Sequence, residues 1–326
     1  MNGTSYYPQL EVFLQNNEIP FETNVDLKRK TWIHRGGICS YFITPTDSYS
    51  LENLCHFLFE HRVKFLTLGS TTNIYIRNTT NIGVVISTTR CRDIRVTQDC
   101  ICCDCGVMVN SLARSQLERG VKGFEYLTCL PGTIGGAICN NSSCRDGSIT
   151  SLLIDADVAI NGECVTIKRQ DFNFDFRSSD IKKRILNGVI LRVRLRVEYG
   201  DKDSLIAKAK ENENERKSLL EGPSQNLGCT VNRLYMNGKM PIIYRVPYLL
   251  CSTFLRLLPI SEDIRKKKIK EMLLFISGHS DLIPYVSDKQ LLTFIWKDDG
   301  ADVLFDEYLI FMENVCKTDS VEIEII

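Results

Sequence analysis

The sequence predicts an α+β fold in more than one domain, and three observations carry that prediction. From Tyr7 to Tyr199, segments of helical apolar period alternate with short β-like runs, separated by small-residue turns. A charged helix over Asp203–Leu220 then divides the chain, and a helix-rich segment closed by further strand signals follows it. The length, 326 residues, suits two or three hydrophobic cores.

The elements are read in order. Tyr7–Asn16 is a short helix. Trp32–Ile43 reads as a strand with Gly36-Gly37 inside it. Ser50–His61 carries apolar residues at 51, 54, 55, 58 and 59, the stripe of an amphipathic helix. Lys64–Leu68, Ile74–Ile76, Val84–Ile86, Ile94–Val96 and Ile101–Val109 read as strands, and Val109–Arg119 as a helix. Leu130–Ala137 is glycine-rich. Leu152–Ile160, Glu163–Ile167 and Val189–Tyr199 are strands, with Asn161-Gly162 a hairpin turn. After the charged helix come a loop over Glu221–Gly228 and a basic helix over Glu262–Ile276. A closing unit has a strand at Leu291–Trp296, a helix at Asp302–Cys316 and a strand at Val321–Ile326.

Composition excludes several classes. Hydrophobic residues at 44% and charged residues at 25% are globular values, which rules out wholesale disorder. Forty basic residues balance forty acidic ones, so the chain lacks the net basic footprint of a nucleic-acid binder. Met1–Ser5 carries no basic start of a signal peptide. The longest apolar stretch, Val246–Ile260, is broken by Ser252, Thr253 and Arg256 and is too short to span a bilayer. Asn2 replaces the glycine that myristoylation needs, and there is no prenylation box. The expectation is a cytoplasmic protein with no membrane or nucleic-acid partner.

Fourteen cysteines are many, and Cys100, Cys102, Cys103 and Cys105 form the densest group. In an extended strand Cys103 and Cys105 share one face and Cys102 takes the other, so one ion cannot easily gather them. The four histidines are scattered, and buried, reduced strand thiols are expected instead of a metal site.

Chemistry concentrates at three glycine-bearing turns: Arg35-Gly36-Gly37, Leu68–Asn73 and Pro131–Ala137. Such turns bring backbone N–H groups close to phosphates. None is a G-x-G-x-x-G after a first strand or a Walker loop, but three in one half of a chain favour a dinucleotide.

The order and content of the motifs resemble the UDP-N-acetylenolpyruvoylglucosamine reductase family. Thr31-Trp32-Ile33-His34-Arg35-Gly36-Gly37 resembles T-T-F-R-I-G-G, and Leu68-Gly69-Ser70-Thr71-Thr72-Asn73 resembles L-G-G-G-S-N. Asn81–Ile86 is similar to F-x-G-V-V-I. Gly123-Phe124-Glu125, Pro131–Ala137 and Asn141 match G-L-E…P-G-T-V-G-G-A…N, the most specific of the set. Phe174–Ser179 resembles F-x-Y-R-x-S, Asn226-Leu227-Gly228-Cys229 resembles N-A-G-S, and Val286–Gln290 resembles V-S-x-K-H/Q. The final Val321–Ile326 resembles P-E-V-R-I-I. The likeness spans roughly residues 20 to 326 and is weakest over Leu234–Leu282.

The resemblance implies an FAD-binding region of the vanillyl-alcohol-oxidase/enolpyruvyl-reductase type in two lobes, 1–85 and 86–202, and an α+β substrate domain, 203–326. It implies FAD with NADPH as electron donor, and reduction of the enolpyruvyl group of UDP-N-acetylglucosamine enolpyruvate in peptidoglycan precursor synthesis by an expected monomer. Gly69, Ser70, Thr71, Thr72, Asn73, Pro131, Gly132, Thr133, Ile134, Gly135, Gly136 and Asn141 would hold the cofactor. Arg177 would bind the carboxylate on which negative charge develops, with Glu322 beside it, and Cys229 would stand in the family's serine position as proton donor. Glu324 shares a strand face with Glu322, and the motif favours Glu322. Arg233 and Gln290 would contact substrate.

The chain departs from the family in places. One glycine, Gly69, remains in the L-G-G-G-S-N turn, Asn232-Arg233-Leu234 replaces K-N-P, and the G-L-K-G segment is absent between Met240 and Leu282. Two other readings stay open: a flavoprotein of this fold acting on another sugar nucleotide or small molecule, and a non-catalytic binding module.

Overall fold

The computed structural model describes residues 7–144, 147–222, 225–231, 240–318 and 320–326. It divides into two compact units. The first takes the described residues of 1–27 with 37–71 and 79–215, and the second takes 28–36, 72–78 and 216–326.

The first unit holds two sheets. Helix α1 (Pro8–Asn16) leads into β1 (Phe21–Asp26) and β2 (Ile38–Ile43), an antiparallel pair. Helix α2 (Ser48–Glu60) is fixed at its start by Asp47, whose carboxylate accepts the Ser50 amide at 2.7 Å. That bond holds the Asp47 carboxyl below its ordinary range. The predicted stripe is the buried face: Leu51, Leu54, Cys55 and Leu58 are fully enclosed. β3 (Phe65–Leu68) follows, then β4 (Ile74–Tyr75), which lies in the second unit, then β5 (Asn81–Ser87). β5 runs parallel to both β2 and β3, completing the order β1-β2-β5-β3.

The other sheet has the order β11-β10-β12-β7-β6 and is antiparallel throughout. Its members are β6 (Ile94–Val96), β7 (Cys100–Asp104), β10 (Leu153–Ile160), β11 (Glu163–Lys168) and β12 (Gly188–Arg196). Between them in sequence come α3 (Val109–Glu118), α4 (Ile134–Cys139) and a small hairpin of β8 (Ser143–Cys144) and β9 (Gly147–Ser148). Asn161 (φ +52°) and Gly162 (φ +87°) form the predicted hairpin turn, both in the left-handed region that such a turn demands. Arg194 of β12 clamps Asp157 of β10 through two bonds of 2.7 and 3.0 Å and also holds Asp155. In β7 Cys103 is buried and Cys100 and Cys102 are half-buried, with Cys105 enclosed just beyond the strand. Burial pushes the Cys103 thiol far above its ordinary range, which makes it a packing group. Among the described residues no group of three or more His, Cys, Asp or Glu is arranged to hold a metal ion.

Several strands are shorter than the sequence predicts: the closing Val321–Ile326 run is a strand only over Glu324–Ile325, and the Val189–Tyr199 run ends at Arg196. The Trp32–Ile43 strand begins only at Ile38. His34 (φ +54°) and Gly36 (φ +152°) leave the extended region, and Thr31 Oγ1 closes a turn onto the Arg35 carbonyl at 2.6 Å. The Ile101–Val109 strand ends at Asp104, because Gly106 comes so close to the Thr88 carbonyl that a Cβ would lie 1.9 Å from it.

The second unit is helical around an aromatic core. It contains the end of α5 (Lys202–Leu219), α6 (Ile242–Leu257), α7 (Glu262–Ile276), α8 (Ala301–Asn314) and β13 (Glu324–Ile325). β13 pairs in parallel with β4. Phe294, Trp296, Phe305 and Tyr308 pack with ring centroids 5.0–6.2 Å apart, fully buried, with Tyr75 against Trp296 and Phe305. The predicted strand at Leu291–Trp296 is instead an extended segment with isolated bridges, Phe294 to Val286 and Ile295 to Asn226. Among the described residues no full strand pairs with it, and Phe294 and Trp296 are buried against Phe305 and Tyr308 of α8.

Candidate functional site

The glycine-rich segment that sequence reads as a loop contains helix α4. Thr133 caps it by accepting the Gly136 amide at 3.4 Å. The Ile134 and Gly135 amides donate to the Val107 and Cys105 carbonyls, each at 2.8 Å, which stitches the segment to the end of β7. A Cβ at Gly135 would lie 2.9 Å from that of Cys105, so this glycine is required by packing against the cysteine run. A Cβ at Gly69 would lie 2.4 Å from Thr133 Oγ1. Two predicted cofactor segments, far apart in sequence, are therefore in direct contact. Thr71 (φ +57°) turns the chain out of the first unit, and Thr72 and Asn73 fall in the second.

The residues here fit the pyrophosphate of FAD. Gly132 has φ +121°, and a Cβ at Gly136 would meet only the Thr133 hydroxyl, at 3.4 Å, so the backbone carries no side chain at these two positions, while the Ile134, Gly135 and Gly136 amides already donate within the protein.

Arg177 lies in the first unit on a tight turn closed by reciprocal bonds between Asp175 and Ser178, of 3.0 and 3.1 Å. Its φ is +54°. The turn is tied to the end of α4: Asn141 Nδ2 donates to the Asp175 carbonyl at 2.8 Å, and Ser179 Oγ donates to the Cys139 carbonyl at 2.6 Å. Asn141 Oδ1 accepts from Thr150 at 2.6 Å. Both ends of the Asn141 amide thus engage protein, and this residue couples the cradle to the arginine turn. The Arg177 guanidinium stands 5.9 Å from the centre of the exposed Phe176 ring.

Cys229, Gln290 and Glu322 lie in the second unit, and the fold brings them together. Asn226 Oδ1 accepts the Gly228 amide at 2.9 Å and Trp32 Nε1 donates to the Asn226 carbonyl at 3.0 Å, shaping the turn before Cys229. Gly228 has φ +74°, which only glycine takes without strain. The Thr230 amide donates to the Leu292 carbonyl, and the Glu322 amide donates to the Thr230 carbonyl, both at 2.8 Å. Gln290 Nε2 donates to Cys229 Sγ at 3.7 Å and to Thr293 Oγ1 at 2.7 Å. The Glu324 amide instead donates to the Asn73 carbonyl, so the two candidate glutamates have different neighbours. Arg233 lies outside the described residues.

Several supporting residues carry no obvious sequence signal. Ser287 Oγ accepts the Lys289 and Gln290 amides and donates to Glu221 at 2.6 Å, which orients Gln290. Lys289 Nζ caps the end of α5 through the Lys217 and Leu220 carbonyls. Lys270 is 5% exposed and donates to the Ile283 and Val286 carbonyls and to Asp288. The sequence hint for Lys270 was its place on the α7 face that carries Leu273 and Leu274. A cavity of about 580 Å³ borders Lys270, Glu221 and Trp296 but none of the predicted site residues.

Residues 39–166 match the family model described as an FAD binding domain, which includes the α4 cradle. The chain is 27% identical over 206 residues to the UDP-N-acetylenolpyruvoylglucosamine reductase of Caldicellulosiruptor bescii, covering 63% of this chain and 65% of that protein. To the enzyme of the same name from Staphylococcus aureus it is 28% identical over 228 residues, covering 69% and 73%. The match to the first of these relatives thus spans just under two thirds of its length. The crystal structure of UDP-N-acetylenolpyruvylglucosamine reductase from Thermus caldophilus superposes with a TM-score of 0.66 over 94% of this chain and 99% of that one, at 16% identity, a likeness of fold.

Proposed function

From the membership of this chain in the UDP-N-acetylenolpyruvoylglucosamine reductase family, as a divergent member, we infer an FAD-dependent reductase of the enolpyruvyl group of UDP-N-acetylglucosamine enolpyruvate. NADPH is the electron donor in this reading, and the product, UDP-N-acetylmuramate, serves peptidoglycan synthesis in the cytoplasm. FAD held in the cradle would supply the hydride, drawn from NADPH, that the terminal carbon of the enolpyruvyl group receives. The cradle at Gly69 and 131–136 holds the cofactor, with two cofactor-binding lobes (1–85, 86–202) and a substrate domain (203–326).

The chain's own residues account for the rest. Arg177 holds the substrate carboxylate as negative charge spreads onto it, and Glu322 takes the role that the closing family motif assigns to it. Cys229 gives its proton to the carbon next to the carboxylate, and the thiolate left behind accepts the Gln290 amide. A thiol, pKa near 8.5, is a better acid than the serine hydroxyl the family uses there. Arg233 and Gln290 contact the nucleotide sugar.

The observation that carries the reading is the convergence of Cys229, Gln290 and Glu322, all named by family motifs and separated widely in sequence. The test has two stages. The purified protein should be yellow or take up added FAD. Its reduced flavin should then be reoxidised by UDP-N-acetylglucosamine enolpyruvate under anaerobic conditions. A colourless protein that rejects FAD would leave only the binding-module reading. Flavin uptake without reoxidation would point to another substrate of the same fold.

A further inference from the structure

Helix α6 and the following α7 leave an apolar face uncovered. Of the 25 large apolar side chains exposed among the described residues, 11 lie within 242–276. Six of them, Ile242, Ile243, Val246, Leu250, Phe254 and Leu257, are 49–80% exposed. At 100° per residue they fall in one arc of about 120° along a helix about 24 Å long. The opposite side of α6 faces the unit, with Leu255 buried. This is far more apolar surface than scattered exposed residues would give.

The charge on the same hairpin is one-sided. Residues 242–276 carry seven basic and three acidic residues, while the whole chain is neutral. α6 itself has two arginines, Arg245 and Arg256, and no acid. On the same wheel Arg256 falls about 40° and Arg245 about 60° beyond one edge of the apolar arc. All four lysines of α7 are paired with acids: Lys266 with Glu262, Lys267 and Lys270 with Asp288, and Lys268 with Glu271.

We propose that the α6–α7 hairpin is a docking surface for an anionic lipid bilayer, with α6 lying in the plane of the interface. An apolar stripe edged by arginine and lacking acids is the pattern of an interfacial helix. No helix among the described residues is long and apolar enough to cross a membrane, so the contact is peripheral. A second copy of the chain suits the surface less well, because two-fold pairing on this face would set two net-positive hairpins against each other.

The test is flotation of the full-length protein with vesicles of phosphatidylcholine alone or phosphatidylcholine with phosphatidylglycerol. The protein should float with the anionic vesicles, less with the neutral ones, and less as salt rises. Leu257→Glu should reduce the partition coefficient at least about tenfold. Arg245→Gln and Arg256→Gln should each reduce it about fivefold. Leu257 and Arg256 are exposed and Arg245 is half-buried, and each variant should keep the wild-type circular dichroism, melting temperature and flavin content; any that does not is replaced by Leu250→Gln or Phe254→Ser. Failure to float with anionic vesicles would overturn the proposal. So would flotation that Leu257→Glu leaves intact, or a concentration-dependent dimer that Leu257→Glu dissociates in the absence of lipid binding.

Discussion

Gly69→Ala tests whether the two cradle segments are held by the contact the structure gives them. The new methyl group would sit 2.4 Å from Thr133 Oγ1, with the Thr133 Cβ and Cγ2 at an ordinary 3.5 Å. Thr133 is 1% exposed and caps α4, so its hydroxyl cannot swing away without releasing the Gly136 amide. Overpacking of this kind costs about 1–3 kcal/mol. Thr133→Ala alone removes the cap at about 1 kcal/mol. In the double variant the clashing oxygen is gone, so the loss should fall back to about 1 kcal/mol instead of the additive 2–4. The assay is urea denaturation of the four proteins by far-UV circular dichroism, with flavin either absent or in fixed excess, since bound ligand shifts stability. Tryptophan fluorescence is unsuitable because Trp32 and Trp296 both lie in the second unit. A Gly69→Ala protein as stable as wild type, or strict additivity in the double variant, would refute the packing argument.

Cys229→Ser should keep substrate-driven flavin reoxidation, whereas Cys229→Ala should slow it by about 10²- to 10⁴-fold and leave reduction by NADPH nearly intact, as stopped-flow traces of each half-reaction would report. Arg177→Ala should slow the same reoxidation step by roughly 10²-fold or more, with Arg177→Lys a poor rescue because the planar fork is lost. Arg35→Met should destabilise the second unit by about 1–3 kcal/mol, read by urea denaturation. The buried guanidinium is paired with Asp302 at 3.5 Å and donates to the His34 carbonyl at 2.9 Å, and Asp302 keeps its hydrogen bonds from Tyr75 and Asn78 when it is gone. Stability should hold from neutral pH down to about 5 and fall below about 4. Burial opposes ionisation of Asp157 and Asp288, but hydrogen bonds from Arg194 and from Lys270 and Lys267 win and hold both carboxyls below their ordinary range, so their contribution is lost as pH falls through those lowered values. Denaturation midpoints against pH check it, and Asp288→Asn should flatten the acid limb.

Much of the fold was legible because local signals agree with tertiary demands. The apolar positions of α2 are the residues it buries, and Asn161-Gly162 makes the hairpin that its left-handed preference requires. The basic helix at Glu262–Ile276 appears with its predicted bounds. The failures have physical causes. Gly36-Gly37 sits in a run that otherwise reads as strand. However, the Cβ-free backbone at Gly37 lies where a side chain would come within 1.7 Å of the Thr80 carbonyl, and the chain turns there instead of extending. The run Leu291–Trp296 is apolar like a strand, but Phe294 and Trp296 are buried against the rings of α8 and only isolated bridges flank the run among the described residues. The length of the apolar stretch Val246–Ile260 excludes a spanning helix and says nothing about a face. Its exposed arc emerges only when the helix is seated on its unit and Leu255 is known to point inward.

The candidate site was legible as a list of residues and illegible as an arrangement. Nothing in the spacing of Asn226–Cys229 and Val286–Gln290 places the Gln290 amide on the Cys229 sulfur, since the two positions are 61 residues apart and Ser287 must hold the loop between them. Once they are adjacent, the motif variation becomes interpretable. The family pattern that Val286–Gln290 resembles allows His or Gln at its last position, and both side chains carry an N–H that can be donated, as Gln290 donates to Cys229 here. On the proposed reading that donor stabilises the conjugate base left after protonation, whether alkoxide or thiolate. The exchange of serine for Cys229 therefore preserves a donor–acceptor pair instead of breaking one. It also predicts that the two positions fail together: Gln290→Leu should lower substrate-driven reoxidation in the wild type and add little further loss in the Cys229→Ala background, where no base remains to be stabilised.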